Sequence, residues 1–325
     1  MDVQLTPASA LSQPIIDPDR LPAIITQSGD VASRRFVEFF AAHIRNAGTR
    51  RKYGHAVARF CHWCDERGIA LEQIEPIVVA AYIEELMGKL AKPTVKLHLA
   101  AIRMLFDYLV TGQVLPFNPA ASVRGPKHVV EKGKTPVLSA EETRWLLDSI
   151  DTSTIAGLRD RALIGLLVYS FARVSAATNM NVEDYFMQGR RMWFRFLEKG
   201  GKHHDVPAHP EANRYMDLYL REAGIASETL TPLFRTLERR KFLSERRMSQ
   251  TDVLRMIKRR AMACGLPAST CCHTFRATGI TTYLQSGGSL EHARRIAGHQ
   301  SSRTTKLYDR TNDAIDIAEI ERIVI

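Results

Sequence analysis

The sequence predicts a mainly α-helical protein with a small antiparallel β-sheet, an α+β chain in two folded parts. Three observations predict it. Apolar residues recur at helical spacing over most of residues 32–111. A stretch of Pro, Asn, Gly and Lys with little periodicity, residues 116–136, interrupts that pattern. Strand-like alternation then appears once, around Arg191–Pro207, before helical spacing resumes. The 325 residues suffice for two or three domains, and 45% hydrophobic with 25% charged residues can bury a sizeable core.

Residues 1–30, with Pro and Asp and weak periodicity, read as a poorly ordered arm. Phe36, Phe39, Phe40, His43 and Ile44 mark a first helix. A second starts near Gly48-Thr49, carries Tyr53, Val57, Phe60, Cys61 and Cys64, and ends at Gly68. A third runs from about Glu75 to Gly88, with Val78, Ala81, Tyr82 and Leu86 inward. A fourth opens at Pro93-Thr94, carries Val95, Leu99, Ile102, Leu105, Phe106 and Leu109, and closes at Gly112. Residues 31–115 therefore form a four-helix domain. Residues 116–136 are a linker with basic content at Arg124, Lys127, Lys132 and Lys134.

The second domain, 137–325, opens on a capping box with Ser139 as N-cap and Glu142 three residues on. Helices follow at about 140–150 and 158–172. Residues 191–197 and 203–207 are paired strands around the turn Glu198-Lys199-Gly-Gly-Lys202. A helix covers about 211–223. Residues 235–260 hold ten Lys/Arg against three acids, so this stretch carries excess positive charge. Within it Ser249-Gln-Thr-Asp252 caps a helix ending before Gly265.

The net charge of +10 favours a polyanionic partner, with nucleic acid first and an anionic membrane surface second. No run is long enough to span a bilayer; the longest, Ala162–Ala172, ends at Arg173 and reads as a buried helix. The N-terminus lacks the basic-then-apolar pattern of a secretory signal. Five cysteines in a chain this long are not a disulfide framework, which points to a reducing cytosol.

The last quarter carries the chemistry. His273-Thr-Phe-Arg276 is followed by Gly298-His299 and then Tyr308, with Arg173 upstream after the buried apolar run. Arginine forks grip phosphoryl oxygens, imidazoles move or share protons, and a phenol can be a covalent nucleophile. With a lysine, this set can attack a phosphodiester without a metal. Alone, each residue has an ordinary reading: Arg173 a helix-end arginine, Lys199 a solvated hairpin lysine, His299 a turn cap. The ordered set carries the inference.

In that order the residues resemble the tyrosine recombinases, the phage-integrase family, and among them bacterial mobile-element integrases and Xer-like chromosome-resolving recombinases. Arg173, His273-x-x-Arg276, Gly298-His299 and Thr304-Thr305-x-x-Tyr308 match its motifs, as do the Lys199 hairpin and Val206-Pro207. The match covers roughly residues 31–310. It implies a helical core-binding domain followed by a catalytic domain. It also implies a site-specific recombinase that cleaves and rejoins DNA through a 3′-phosphotyrosyl link, using neither metal, ATP nor any other cofactor.

The implied catalytic residues are Arg173, Lys199, His273, Arg276, His299 and Tyr308. Tyr308 is the nucleophile and His273 its proton acceptor. The two arginines hold the non-bridging oxygens, and His299 donates to the same phosphate. Lys199 protonates the leaving 5′-oxygen, with Lys202 on the same turn as its rival. The implied partners are double-stranded DNA and further copies of the chain, as a dimer to tetramer on paired sites, docked through the isoleucine-rich tail 312–325. An accessory DNA-bending protein and a bacterial, cytoplasmic, nucleoid-associated location complete the expectation.

Two positions depart from the family pattern. Ala176 stands where an acidic residue often follows the first arginine, and Ala277 where a histidine often follows the second. Both bear on how Arg173 and Arg276 are braced. The alternatives are a type IB topoisomerase and a non-catalytic DNA-binding regulator on the same fold. A metal-dependent nuclease lacks a carboxylate cluster of the kind that binds two metals. Cys61-His-Trp-Cys64 shares one helix face with Val57 and Phe60 and reads as core packing rather than a redox or zinc pair.

Overall fold

A computed structural model describes residues 21–128, 133–198, 201–238 and 242–309. The chain divides into two compact units, residues 1–129 and 130–325.

The first unit is helical: α1 (Ala23–Thr26), α2 (Gly29–Glu38), α3 (Ala47–Asp65), α4 (Pro76–Met87) and α5 (Lys92–Thr111). A π-helical turn, Phe39–His43, extends α2. Asn46 caps α3, its Oδ1 accepting from the Thr49 amide at 3.0 Å. Prolines open α4 and α5, where a missing N–H costs nothing, and Gly112 ends α5. Phe36, Phe60, Tyr82, Ile102 and Phe106 fill the core between them. Cys61 and Cys64 lie in that core, and burial pushes both thiols up, Cys64 to about 12, so neither forms a thiolate at neutral pH.

Two expectations need correction here. The arm does not extend to residue 30: Ile24 and Ile25 are fully packed, and the Ile24 amide donates to Asp65 Oδ1 at 2.8 Å. Two adjacent isoleucines are too short a pattern to show a helical period, yet they cover the end of α3. The inward face of α4 is Val79, Tyr82, Ile83 and Leu86; Ala81 is exposed and Val78 only half-buried. The all-apolar start of α4 fits two phases, and packing against α5 selects one.

The second unit holds α6 (Ala140–Asp148), α7 (Ile155–Tyr169) and α8 (Val174–Asn179), then strands β1 (Tyr185–Gln188), β2 (Arg191–Glu198) and β3 (Lys202–Pro207). α9 (Pro210–Ala223), β4 (Arg235–Glu238), β5 (Phe242–Arg247) and α10 (Gln250–Ala263) follow. α11 (Cys272–Gln285), α12 (Leu290–Ile296) and α13 (Ser302–Lys306) complete it. The Ser139–Glu142 capping box closes reciprocally: Ser139 Oγ accepts from the Glu142 amide at 3.1 Å, and Glu142 Oε2 from the Ser139 amide at 2.7 Å.

α7 is buried on all sides because it packs against both α9 and α11. Glycines permit the close approach. A Cβ at Gly165 would stand 2.8 Å from the Tyr215 ring, and one at Gly279 would collide with the Val168 carbonyl. β1, β2 and β3 form an antiparallel sheet in that order, with Trp193 opposite Pro207 and Glu198 opposite Lys202. Phe194 and Phe196 alternate inward from β2.

The basic stretch hides a second hairpin, β4–β5, and several of its arginines are structural rather than free. Arg247 donates to the Thr178 and Met180 carbonyls, both at 2.7 Å. Arg260 and Arg159 share the buried Asp160. Arg246, Arg255, Lys258 and Arg259 remain exposed. Charge density masked Leu237 and Leu243, which lie opposite each other across the hairpin.

Candidate active site

Arg173 is the N-cap residue of α8. Two residues earlier Phe171 adopts φ +55°, a left-handed conformation that bulky side chains rarely take. That turn presents the Phe171 carbonyl to Arg276, whose Nη1 donates to it. Arg276 lies one turn into α11 and is 1% exposed. Its Nη2 donates to the Ala297 carbonyl at 2.7 Å and to His299 Nε2 at 2.6 Å. Its Nε is buried without a partner among the described residues. Burial, then the charge of Arg173, lowers its pKa to about 10, so it stays cationic at neutral pH.

His299 follows Gly298, which takes φ +59° to turn the chain after α12. The ring is 5% exposed. A guanidinium only donates, so His299 Nε2 is the acceptor and its proton sits on Nδ1, which donates to Thr305 Oγ1 at 2.9 Å. Burial, with the charges of Arg276 and Arg173, pushes the pKa down to about 3, and the ring is neutral. Both ring nitrogens are engaged. Nε2 accepts from Arg276 and Nδ1 donates to Thr305.

Tyr308 sits just beyond α13. Its amide donates to the Thr305 carbonyl at 2.9 Å, and its carbonyl accepts from Thr281 Oγ1 at 2.9 Å. Its ring stacks on His299, centroids 5.9 Å apart with planes 9° from parallel, and packs near Phe171, Ala277 and Ile280. Its hydroxyl lies 2.7 Å from His273 Nε2. Burial, then Arg276 and Arg173, lowers the His273 pKa, so this ring is neutral at pH 7 and can accept a proton. The preceding residue is anchored too, because the Gly133 amide donates to the Leu307 carbonyl at 3.0 Å.

Arg173 pairs with Glu198 at the end of β2 through Nη1. The structure thus brings His273, Arg276, His299 and Tyr308 together, with the charge of Arg173 acting on the two histidines and on Arg276. Lys199 lies outside the described residues. Lys202 opens β3 and is exposed. Ala176 and Ala277 are both buried in apolar surroundings. Sequence reading singled out neither Glu198 as the partner of Arg173 nor Thr305 as the partner of His299. The only available signals were the residue before Lys199 and the paired threonines of the Tyr308 motif.

Comparison with known proteins shows the family. Residues 136–314 match the family model for the phage integrase family, and residues 35–113 match the phage integrase N-terminal SAM-like domain. Tyrosine recombinase XerC of Myxococcus xanthus is 30% identical over 212 residues, 65% of this chain and 69% of the relative. XerC of Syntrophus aciditrophicus is 30% identical over 243 residues, 74% and 76% of the two chains. XerD of Chlorobaculum tepidum is 28% identical over 278 residues, 81% and 86%.

Among solved structures, XerH recombinase in a post-cleavage complex with a palindromic difH substrate superposes with TM-score 0.70. It shares 20% identity, over 92% of this chain and 86% of that one. A lambda integrase tetramer bound to a Holliday junction gives 0.65 at 19% identity, over 88% and 79%. These two likenesses speak to the fold.

The chain belongs to the phage integrase family. It is an enzyme of the tyrosine type, a site-specific recombinase, and the topoisomerase and regulator readings are not favoured.

Proposed function

We propose that the chain exchanges strands of double-stranded DNA with Tyr308 as nucleophile, acting within its own subunit. The observation that carries this reading is the 2.7 Å contact of Tyr308 Oη with His273 Nε2. The phenol attacks the scissile phosphorus and passes its proton to neutral His273. Arg173 and Arg276 hold the non-bridging oxygens as charge develops, each such donor worth roughly 3 kcal/mol. The 5′-oxygen leaves with a proton, for which Lys199 is the donor implied by family resemblance. A 5′-hydroxyl from a second duplex reverses the step, so bond energy is conserved without ATP.

His299 acts through Arg276, and would have to exchange its Arg276 bond to reach a phosphate itself. We further propose that the helical unit and the catalytic unit both contact the duplex. Exposed Arg51, Lys52, Arg59, Arg246, Arg255 and Lys258 fit phosphate-backbone contacts. Dimers or tetramers form on paired sites through the tail 312–325, which lies outside the described residues. An accessory DNA-bending protein and action on the nucleoid in a bacterial cytoplasm belong to the same reading.

The test is incubation with nicked suicide duplexes from the protein's own genetic neighbourhood in chelator. A covalent protein–DNA band that disappears in Tyr308→Phe supports the reading. Specific binding to the site without any adduct would refute it.

A further inference from the structure

We infer that Glu198 is a positioning residue for Arg173, replacing from strand β2 the acidic side chain that α8 lacks at Ala176. This rests on the proposal that Arg173 holds the scissile phosphate.

Ala176 occupies the third position of α8, one turn from Arg173 at the N-cap, where a carboxylate could accept a hydrogen bond. A buried methyl cannot do so. Glu198 arrives from the other side. Its side chain is 13% exposed and is the ion-pair partner of Arg173 among the described residues. The contact is through Nη1 alone, so it fixes the guanidinium while leaving its other edge for a phosphate.

The carboxylate is itself held in place. β2 is paired along its length with β3, and His204 on β3 donates from Nε2 to the Ile296 carbonyl at 3.0 Å. This ties the hairpin to the segment leading into Gly298-His299. A Cβ on Gly298 would stand 3.5 Å from Glu198 Oε1, so the carboxylate borders that loop as well. Its negative charge also reaches Arg276. Glu198 thus pairs with Arg173 from the sheet rather than from the arginine's own helix.

A carboxylate near a phosphate weakens DNA binding by repulsion while improving the chemistry by orienting the donor. The two effects separate in measurement. Duplexes selected by the protein from a randomised pool supply a nicked suicide substrate, and single-turnover adduct formation is followed at saturating protein alongside the Kd. Glu198→Gln should slow cleavage on the order of 10-fold to 100-fold with Kd unchanged or tighter. Glu198→Asp, which keeps the charge, should recover much of the rate.

Wild-type rates in Glu198→Gln overturn the inference, and a faster enzyme would make the carboxylate a brake. Parallel loss of binding and cleavage, or Glu198→Asp no better than Glu198→Gln, also overturns it, because the role would then be structural or independent of charge. If the wild type forms no adduct on its selected site, the reading of Arg173 and Tyr308 fails first and this inference falls with it.

Discussion

Arg276 Nη2 donates to His299 Nε2 at 2.6 Å, and that bond sets the protons on both side chains. Because the ring nitrogen accepts, its proton is confined to Nδ1, where Thr305 receives it at 2.9 Å. A threonine, an imidazole and a guanidinium form one line from α13 to α11. His299→Ala should reduce covalent adduct formation on the order of 100-fold. His299→Gln should retain more, since an amide oxygen can accept from Arg276. Thr305→Val should cost about 10-fold, because the buried Nδ1–H then loses its acceptor and the ring its orientation. Single-turnover cleavage of a suicide duplex measures all three, and equal rates in the three variants would discard the relay.

The pH profile of cleavage should reflect His273. Burial and two arginines lower its pKa below the ordinary 6.5, so the neutral, proton-accepting form persists into mild acid. The rate should be level through neutrality and fall only once the pH drops below 6.5. An acid limb centred above 6.5 would show that another group takes the proton from Tyr308.

Stability should also fall in acid, and the sign follows from His299. Its folded pKa of about 3 lies below the ordinary 6.5, so the unfolded chain binds the proton more tightly. The contribution is intact above 6.5, declines as pH falls, and is spent near 3. Between pH 6.5 and about 5 the loss is about 2 kcal/mol. Denaturant midpoints across that window should shift less in His299→Gln than in the parent, and an equal shift would assign the acid sensitivity elsewhere.

Gly279→Ala should be among the most damaging single-methyl changes. The new Cβ would strike the Val168 carbonyl and stand 2.8 Å from Phe171 Cδ1, with no flexible side-chain end to yield. A cost of about 3 kcal/mol is expected, read as a lowered midpoint in chemical denaturation. Cleavage should suffer with it, since Phe171 supplies a carbonyl to Arg276.

The helices of the first unit were legible because amphipathic periods over ten or more residues survive without knowledge of their neighbours. The motif residues were legible as a set because their order and spacing are specific. What escaped the sequence was tertiary. The Ile24-Ile25 pair had no period to display, and β4–β5 was hidden under arginines that proved to be internal donors. His299's partner could not be foreseen, since a motif names a residue but not which nitrogen faces which neighbour. Glu198 was invisible for the same reason: it lies 25 residues from Arg173 in sequence and meets it only when β2 folds against α8.

Two of the acceptors that seat Arg276 are the main-chain oxygens of Phe171 and Ala297. Every codon supplies a main-chain oxygen, so no single nucleotide change can delete either acceptor. Drift can displace them only by altering the path of the chain, at the left-handed bend of Phe171 or near Gly298. Neighbouring side chains can therefore change while the guanidinium keeps its place; inactivating lesions should concentrate at bends rather than at contacts.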